Sequence, residues 1–94
     1  MTIEKYVEEF NNYAHTVIDT FHPRPKKESD TAKATEQYEL EMQRYKLALT
    51  KKENEILHNA SREKMMDLKA LRTLLVECEQ WHVNNFTEKF NQQP

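Results

Sequence analysis

The densest hydrophobic pattern in this chain lies between Met65 and Phe90. Apolar residues recur in that stretch at steps of three or four, which is the spacing of one face of an amphipathic helix. Leu74 and Trp81 lie beside this face and widen it. The pattern predicts a helix with one broad buried face, formed by Leu68, Leu71, Leu75, Cys78, His82, Phe86 and Phe90.

A shorter apolar pattern begins near the N-terminus and alternates steps of four and three residues, as in a heptad repeat. Its positions are Ile3, Val7, Phe10, Ala14, Val17 and Phe21. Thr2 is suited to cap the first turn, and the carboxylate of Glu4 favours the positive end of the helix dipole. These features predict a helix over residues 2–21 that packs against other helices.

Two prolines, Pro23 and Pro25, end the first predicted helix. Proline has no backbone N–H to donate and restricts the residue before it, so the helical hydrogen bonds cannot continue. The sequence predicts a linker over residues 22–29. A linker this short brings the next helix back alongside the first.

A stretch without proline or glycine follows, from residue 30 to residue 91. Apolar or aromatic positions recur there at an 11-residue interval, which indicates a nearly straight helix. These positions are Tyr38, Leu49, Ala60, Leu71 and His82. The stretch predicts one long helix over residues 30–91. A break near residue 60, where Ser61 can cap a new helix, would give a three-helix bundle instead.

The unequal lengths of the two predicted helices leave part of the long one uncovered. At about 1.5 Å per residue the first helix is roughly 30 Å long, and it lies beside residues 30–50. The apolar face of the distal half would then form an exposed patch of a kind that monomers avoid. We therefore expect an all-α helical hairpin, coiled-coil-like, that forms an antiparallel dimer. The expected partner interface consists of Leu68, Leu71, Leu75, Cys78, Trp81, His82, Phe86 and Phe90.

The composition agrees with a single helical domain. The 94 residues include no glycine and three prolines, and 32% are charged, which disfavours tight hairpins and sheets. A net charge of −2 argues against nucleic-acid binding. The single cysteine excludes an intrachain disulfide, and no apolar run reaches the roughly 20 residues that span a bilayer. We expect a cytoplasmic protein.

Cys78 and His82 are the residues that most resemble a metal-binding pair, because they lie four positions apart on one helix face. Both also fall in register with the apolar face, so packing in the core is the commoner explanation. The sequence has no glycine-rich phosphate loop and no nucleophile motif. It thus predicts no enzyme activity, no cofactor and no metal site.

Several basic residues in the central part of the chain are candidates for contact with anionic lipid. They are Lys51, Lys52, Arg62, Lys64 and Lys69. Acidic headgroups attract such clusters by about 1 kcal/mol per basic residue near the surface. The competing explanation, which we favour, is that these side chains keep an exposed helix soluble.

Residues 62–90 resemble the last helix of BAR domains of the sorting-nexin type. That family often has a basic residue, then Asp with Leu or an aromatic residue, then a Leu-rich run, a Glu or Gln segment and an aromatic pair. The matching positions are Arg62, Lys64, Asp67, Leu68, Leu71, Leu74, Glu77, Gln80, Trp81 and His82. The resemblance implies an antiparallel dimer that senses or bends membranes through a basic face. The short first helix and the proline-containing turn depart from the family pattern.

These features together predict a non-enzymatic helical module that associates with itself or binds a helical protein, as a scaffold or adaptor. A BAR-like module acting at a membrane surface in trafficking is one alternative. A small inhibitor or adaptor that docks on a larger protein is another.

Overall fold

The computed structural model of the protein describes residues 2–21 and 31–91, with the side chains of residues 2–21 and 36–89. Helix α1 spans Ile3–Ile18, α2 spans Thr31–Ala60 and α3 spans Leu68–Asn91. Each helix contacts the other two, and together they form an elongated bundle of 57 × 19 × 18 Å. The prediction of an all-α fold is confirmed.

Helix α1 starts at the predicted cap. The Thr2 side-chain oxygen accepts a hydrogen bond from the Lys5 backbone N–H at 3.2 Å. The helix ends at Ile18, about one turn before the predicted end at residue 21. Beyond it, the N–H groups of Thr20 and Phe21 donate to carbonyls three residues back, at 2.9 and 3.2 Å, rather than four. The predicted linker over residues 22–29 lies outside the described residues.

The expected continuous helix over residues 30–91 is corrected by the structure, which has a connection at residues 61–67 between α2 and α3. The Ser61 N–H still donates four residues back at 2.9 Å, but the next two N–H groups reach only three residues back. Asp67 then caps α3, because its side-chain oxygen accepts from the Ala70 N–H at 3.0 Å. The chain therefore adopts the alternative with a break near residue 60, and Asp67 rather than Ser61 is the cap.

The apolar face of α3 is covered within the chain, so the expectation that it projects without cover is corrected. The connection lays α3 along both α1 and α2. Leu71, Leu75 and Phe86 are fully buried, and the Phe86 ring stacks on Tyr45 of α2 with the centroids 5.1 Å apart. Such burial is worth roughly 1.5–3 kcal/mol per side chain, which a projecting helix would lose. The core comprises Tyr6, Phe10, Ala14, Ile18, Tyr45, Leu49, Ile56, Ala60, Leu71, Leu75 and Phe86.

Candidate functional site

Three side chains form a ridge along the outer flank of α3, beside its buried face. Leu74, Cys78 and Trp81 follow one another at steps of four and three residues, which places them on one side of the helix. Leu74 is 39% exposed, Trp81 is 58% exposed and Cys78 is half-buried. The ridge thus offers the only tryptophan of the chain to a partner.

The side of α1 next to this ridge carries residues at steps of four, from Ile3 through Val7 and Asn11 to His15. Two cavities of about 380 Å³ each lie between the two rows. Asn11 lines both cavities, so the two are neighbours along the same pair of helices and are described together as one groove. We call it the α1/α3 groove; its walls are Ile3, Val7, Asn11 and His15 on α1 and Leu74, Cys78 and Trp81 on α3.

His82 lies beneath the groove and is only 1% exposed. Its Nε2 is 2.8 Å from Asn11 Oδ1, so the imidazole N–H donates to the amide oxygen. Burial, helped by the nearby His15, lowers the pKa of His82 and keeps the ring neutral at pH 7. Its Nδ1 is buried and has no hydrogen-bond partner among the described atoms. The bond to Asn11 ties α3 to α1 under the groove.

Aromatic contacts fix the end of the groove at Trp81. The ring of His82 contacts the rings of His15 and Trp81 edge to face, with centroid distances of 5.1 and 5.0 Å. His15 and Trp81 also meet, at 6.3 Å. These contacts support one edge of the indole while most of it stays exposed. Tryptophan is a common centre of binding energy in protein interfaces.

Cys78 is not activated as a nucleophile. Burial raises the pKa of its thiol, against a smaller opposing effect of a hydrogen bond with Asn11, so the thiol is protonated at neutral pH. Within residues 2–21 and 31–91, no group of three or more His, Cys, Asp or Glu side chains could hold a metal ion.

The structure divides the predicted partner interface into buried and accessible residues. The buried ones cannot contact a partner while the bundle is folded; they are Leu71, Leu75, His82 and Phe86. Leu68, Cys78 and Trp81 keep accessible surface. The side chain of Phe90 lies outside the described residues. Sequence reasoning missed the α1 wall of the groove, because that wall exists only once α3 folds back onto α1.

Of the basic residues that are candidates for lipid contact, Lys52 is partly buried and paired, and the other four are exposed. The Lys52 ammonium lies 3.5 Å from a Glu55 carboxylate oxygen and 5.2 Å from the centroid of the Tyr13 ring, so this side chain is used within the bundle. Lys51 is exposed in the body of α2. The others are exposed around the connection between α2 and α3; they are Arg62, Lys64 and Lys69.

A second polar cluster lies between α2 and α3, on the flank of α3 away from the groove. Glu53 is 8% exposed. Burial, and next the neighbouring Glu79 carboxylate, raise the pKa of Glu53 to about 7, while Arg72 acts in the opposite direction. The Thr50 hydroxyl donates to Glu79 at 3.2 Å. Glu53 is therefore a buried acid that loses its proton near neutral pH.

No helix in the described part of the chain is long and apolar enough to cross a membrane. Comparison with known proteins found no matching family model. It also found no similar curated protein and no similar solved structure. The resemblance of residues 62–90 to BAR domains thus stays a prediction.

Proposed function

We propose that the protein is a non-enzymatic interaction module that binds a helical segment of another protein in the α1/α3 groove. The observation that carries this proposal is the exposure of Trp81 and Leu74 beside a groove, although the chain has already filled its core. Single exposed apolar side chains are common on protein surfaces, but apolar side chains grouped beside a groove are typical of a binding site.

The shape of the groove favours a helix as the bound element. Leu74 and Trp81 are seven residues apart, which is two helical turns or about 10 Å. An amphipathic helix presents side chains at the same intervals, so its apolar stripe can interdigitate with this ridge. The surface is small compared with stable protein interfaces, so we expect weak, reversible binding.

Two other predicted functions receive less support. The expected antiparallel dimer depends on an uncovered apolar face of α3, and the structure covers that face within the chain. Self-association stays a prediction that a mass measurement tests. The membrane-surface function needs a shared basic face, whereas Lys52 is paired within the bundle. We therefore propose a module that binds its partner as a monomer of 11.3 kDa.

The chain contains its own reporters for the test, because Trp81 and Cys78 are its only tryptophan and cysteine and both line the groove. The probe is a synthetic helix of about 18 residues, or five turns, with a leucine stripe, Ala and Gln elsewhere, and no Trp or Cys. We expect the probe to shift Trp81 emission to shorter wavelength and to slow alkylation of Cys78.

A matched pair of variants decides whether the groove is the site. Leu74→Asn removes an anchor, so we expect about tenfold weaker binding of the probe. Val76→Asn changes a residue that is somewhat more exposed and lies on the other flank of α3, so it should leave binding unchanged. Equal loss of binding in both variants, or no response of either reporter to the probe, would contradict the proposal.

A further inference from the structure

The charged side chains along the α1/α3 groove are acidic. Glu4 and Glu8 line it from α1, Glu77 lines it from α3, and all three are exposed. Among the described residues, no lysine or arginine lines either cavity; Lys69 lines a neighbouring cavity beyond Leu74, together with the acidic Asp67. Lys5 approaches Glu8 at 3.9 Å, but the two side chains are 67% and 63% exposed. Water screens such a pair, so a cation from a partner can replace Lys5.

We infer that the helix bound in the groove belongs to a partner protein and carries lysine or arginine beside its apolar stripe. This inference rests on the proposed function and names the chemistry of its partner. The apolar side chains of the helix cover Leu74 and Trp81, and its basic side chains reach the carboxylates on the rim. Their aliphatic stems lie along the apolar walls while their charged ends stay at the surface.

The positions of the carboxylates determine where the partner needs its cations. Glu4 and Glu8 are one turn apart on α1, and Glu77 lies between Leu74 and Trp81 on α3. A helix in the groove has positions on both sides of its apolar stripe, repeated every three or four residues. Two basic residues one turn apart on one side and one on the other match this pattern. The same carboxylates repel a helix with acidic flanks.

A second copy of the chain fits the groove poorly. A two-fold dimer through this surface brings the same patch of both copies together, so Glu4, Glu8 and Glu77 of each copy would face one another. Like charges brought together oppose binding, and the net charge of −2 on each chain adds to the repulsion. The charge pattern therefore favours a basic helix from another protein.

The test compares three synthetic helices with an identical leucine stripe and with Lys, Gln or Glu at the flanking positions. Trp81 emission and Cys78 alkylation report occupancy of the groove, with peptide concentration taken to about 1 mM because small interfaces bind weakly. We expect the Lys helix to bind more tightly than the Gln helix, and the Glu helix to bind least. The advantage of the Lys helix should fall as salt rises from low to physiological concentration.

A matched pair of variants assigns this preference to the rim. In the Glu4→Gln/Glu8→Gln/Glu77→Gln variant, binding of the Lys helix should weaken about tenfold, since each exposed ion pair is worth roughly 1.5- to 5-fold. Binding of the Gln helix should change less than about twofold. The control variant removes the same charge from exposed positions of α2, at Glu36, Glu39 and Glu55, and should keep the preference.

The outcomes separate this inference from the proposed function. Equal binding of the three helices would overturn the basic partner and leave the helix-binding groove intact. A failure of every helix to move either reporter would overturn both. If the free chain doubles its mass with concentration while Trp81 emission shifts, a second copy occupies the groove, and the inference is wrong.

Discussion

Glu53 is the residue whose ionisation most directly links pH to the stability of this bundle. Its pKa rises from an ordinary value of 4.5 to about 7 on folding, so between these values the folded state holds a proton that the unfolded state has lost. The stability that this proton provides is present below pH 4.5 and is lost as pH rises through 7.

We expect Glu53→Gln, which imitates the protonated acid, to be more stable than the natural chain at pH 8, by up to about 3 kcal/mol. At pH 5 the two chains should be nearly equally stable. Urea unfolding followed by circular dichroism at both pH values measures the difference. A difference that does not change between pH 5 and pH 8 would show that Glu53 does not titrate in this range. Glu39→Gln, at an exposed position of α2, serves as the control.

Some residue environments follow from spacing along the sequence and others do not. The spacing of His82 within the apolar stripe predicts burial, and the residue is buried. Its partner Asn11 lies 71 residues away in the sequence, and no local pattern relates the two. Glu53 follows Lys51 and Lys52 in a stretch that reads as solvated. Its burial depends on how α3 returns over α2, which the local pattern does not contain.

At the scale of the elements, Asp67 defines where α3 begins. Its side chain accepts from the Ala70 N–H, which would otherwise lack a partner in the first turn. Asp67→Ala should therefore lower the free energy of unfolding by about 1 kcal/mol, and Asp67→Asn should restore most of the loss because Asn also caps. Chemical denaturation of the three chains measures this. Equal stability of the Ala and Asn variants would contradict the capping role.

The break between α2 and α3 could not be read from periodicity, for a physical reason. Leu49 and Ala60 on α2, and Leu71 and His82 on α3, are all buried, so the 11-residue interval correctly marked positions that face a core. The spacing of buried positions does not show whether the chain continues straight or reverses. Two helices that reverse direction and face the same core carry the same pattern as one continuous helix. No glycine or proline lies near residues 61–67 to indicate a turn. The reversed arrangement is favoured over a continuous helix because it buries the apolar face of α3.

At the scale of the whole molecule, the buried apolar residues of α3 should contribute much more to stability than the accessible ones. Leu75→Ala should destabilise the bundle by about 2–5 kcal/mol because it leaves a cavity in the core. Leu74→Ala, one position away on the groove, should cost less than about 1 kcal/mol. Urea unfolding of both variants provides the measurement. Similar losses for the two would mean that α3 does not pack on α1 and α2 as described.

The all-α class was accessible from composition and periodicity, whereas the groove was not. The groove needs Asn11 and Trp81 to lie side by side, and that depends on the turn at residues 61–67. The apolar spacing predicts that Trp81 contributes to a partner interface and that Leu74 lies beside that face. The α1 wall does not follow from this spacing, because the expected hairpin places α1 beside residues 30–50 alone.

The connection at residues 61–67 has a further consequence for how the chain folds at high concentration. No residue in the described part of the chain has a positive φ, so straightening this segment does not require any residue to leave a left-handed conformation. An opened chain can then insert its α3 into the bundle of a neighbour, which satisfies the same core in an intertwined pair. Such exchange depends on collisions between chains, so refolding at high concentration should yield some exchanged dimer and refolding at high dilution should yield monomer alone. Size-exclusion chromatography of the two products tests this, and an identical monomeric profile at both concentrations would rule the exchange out.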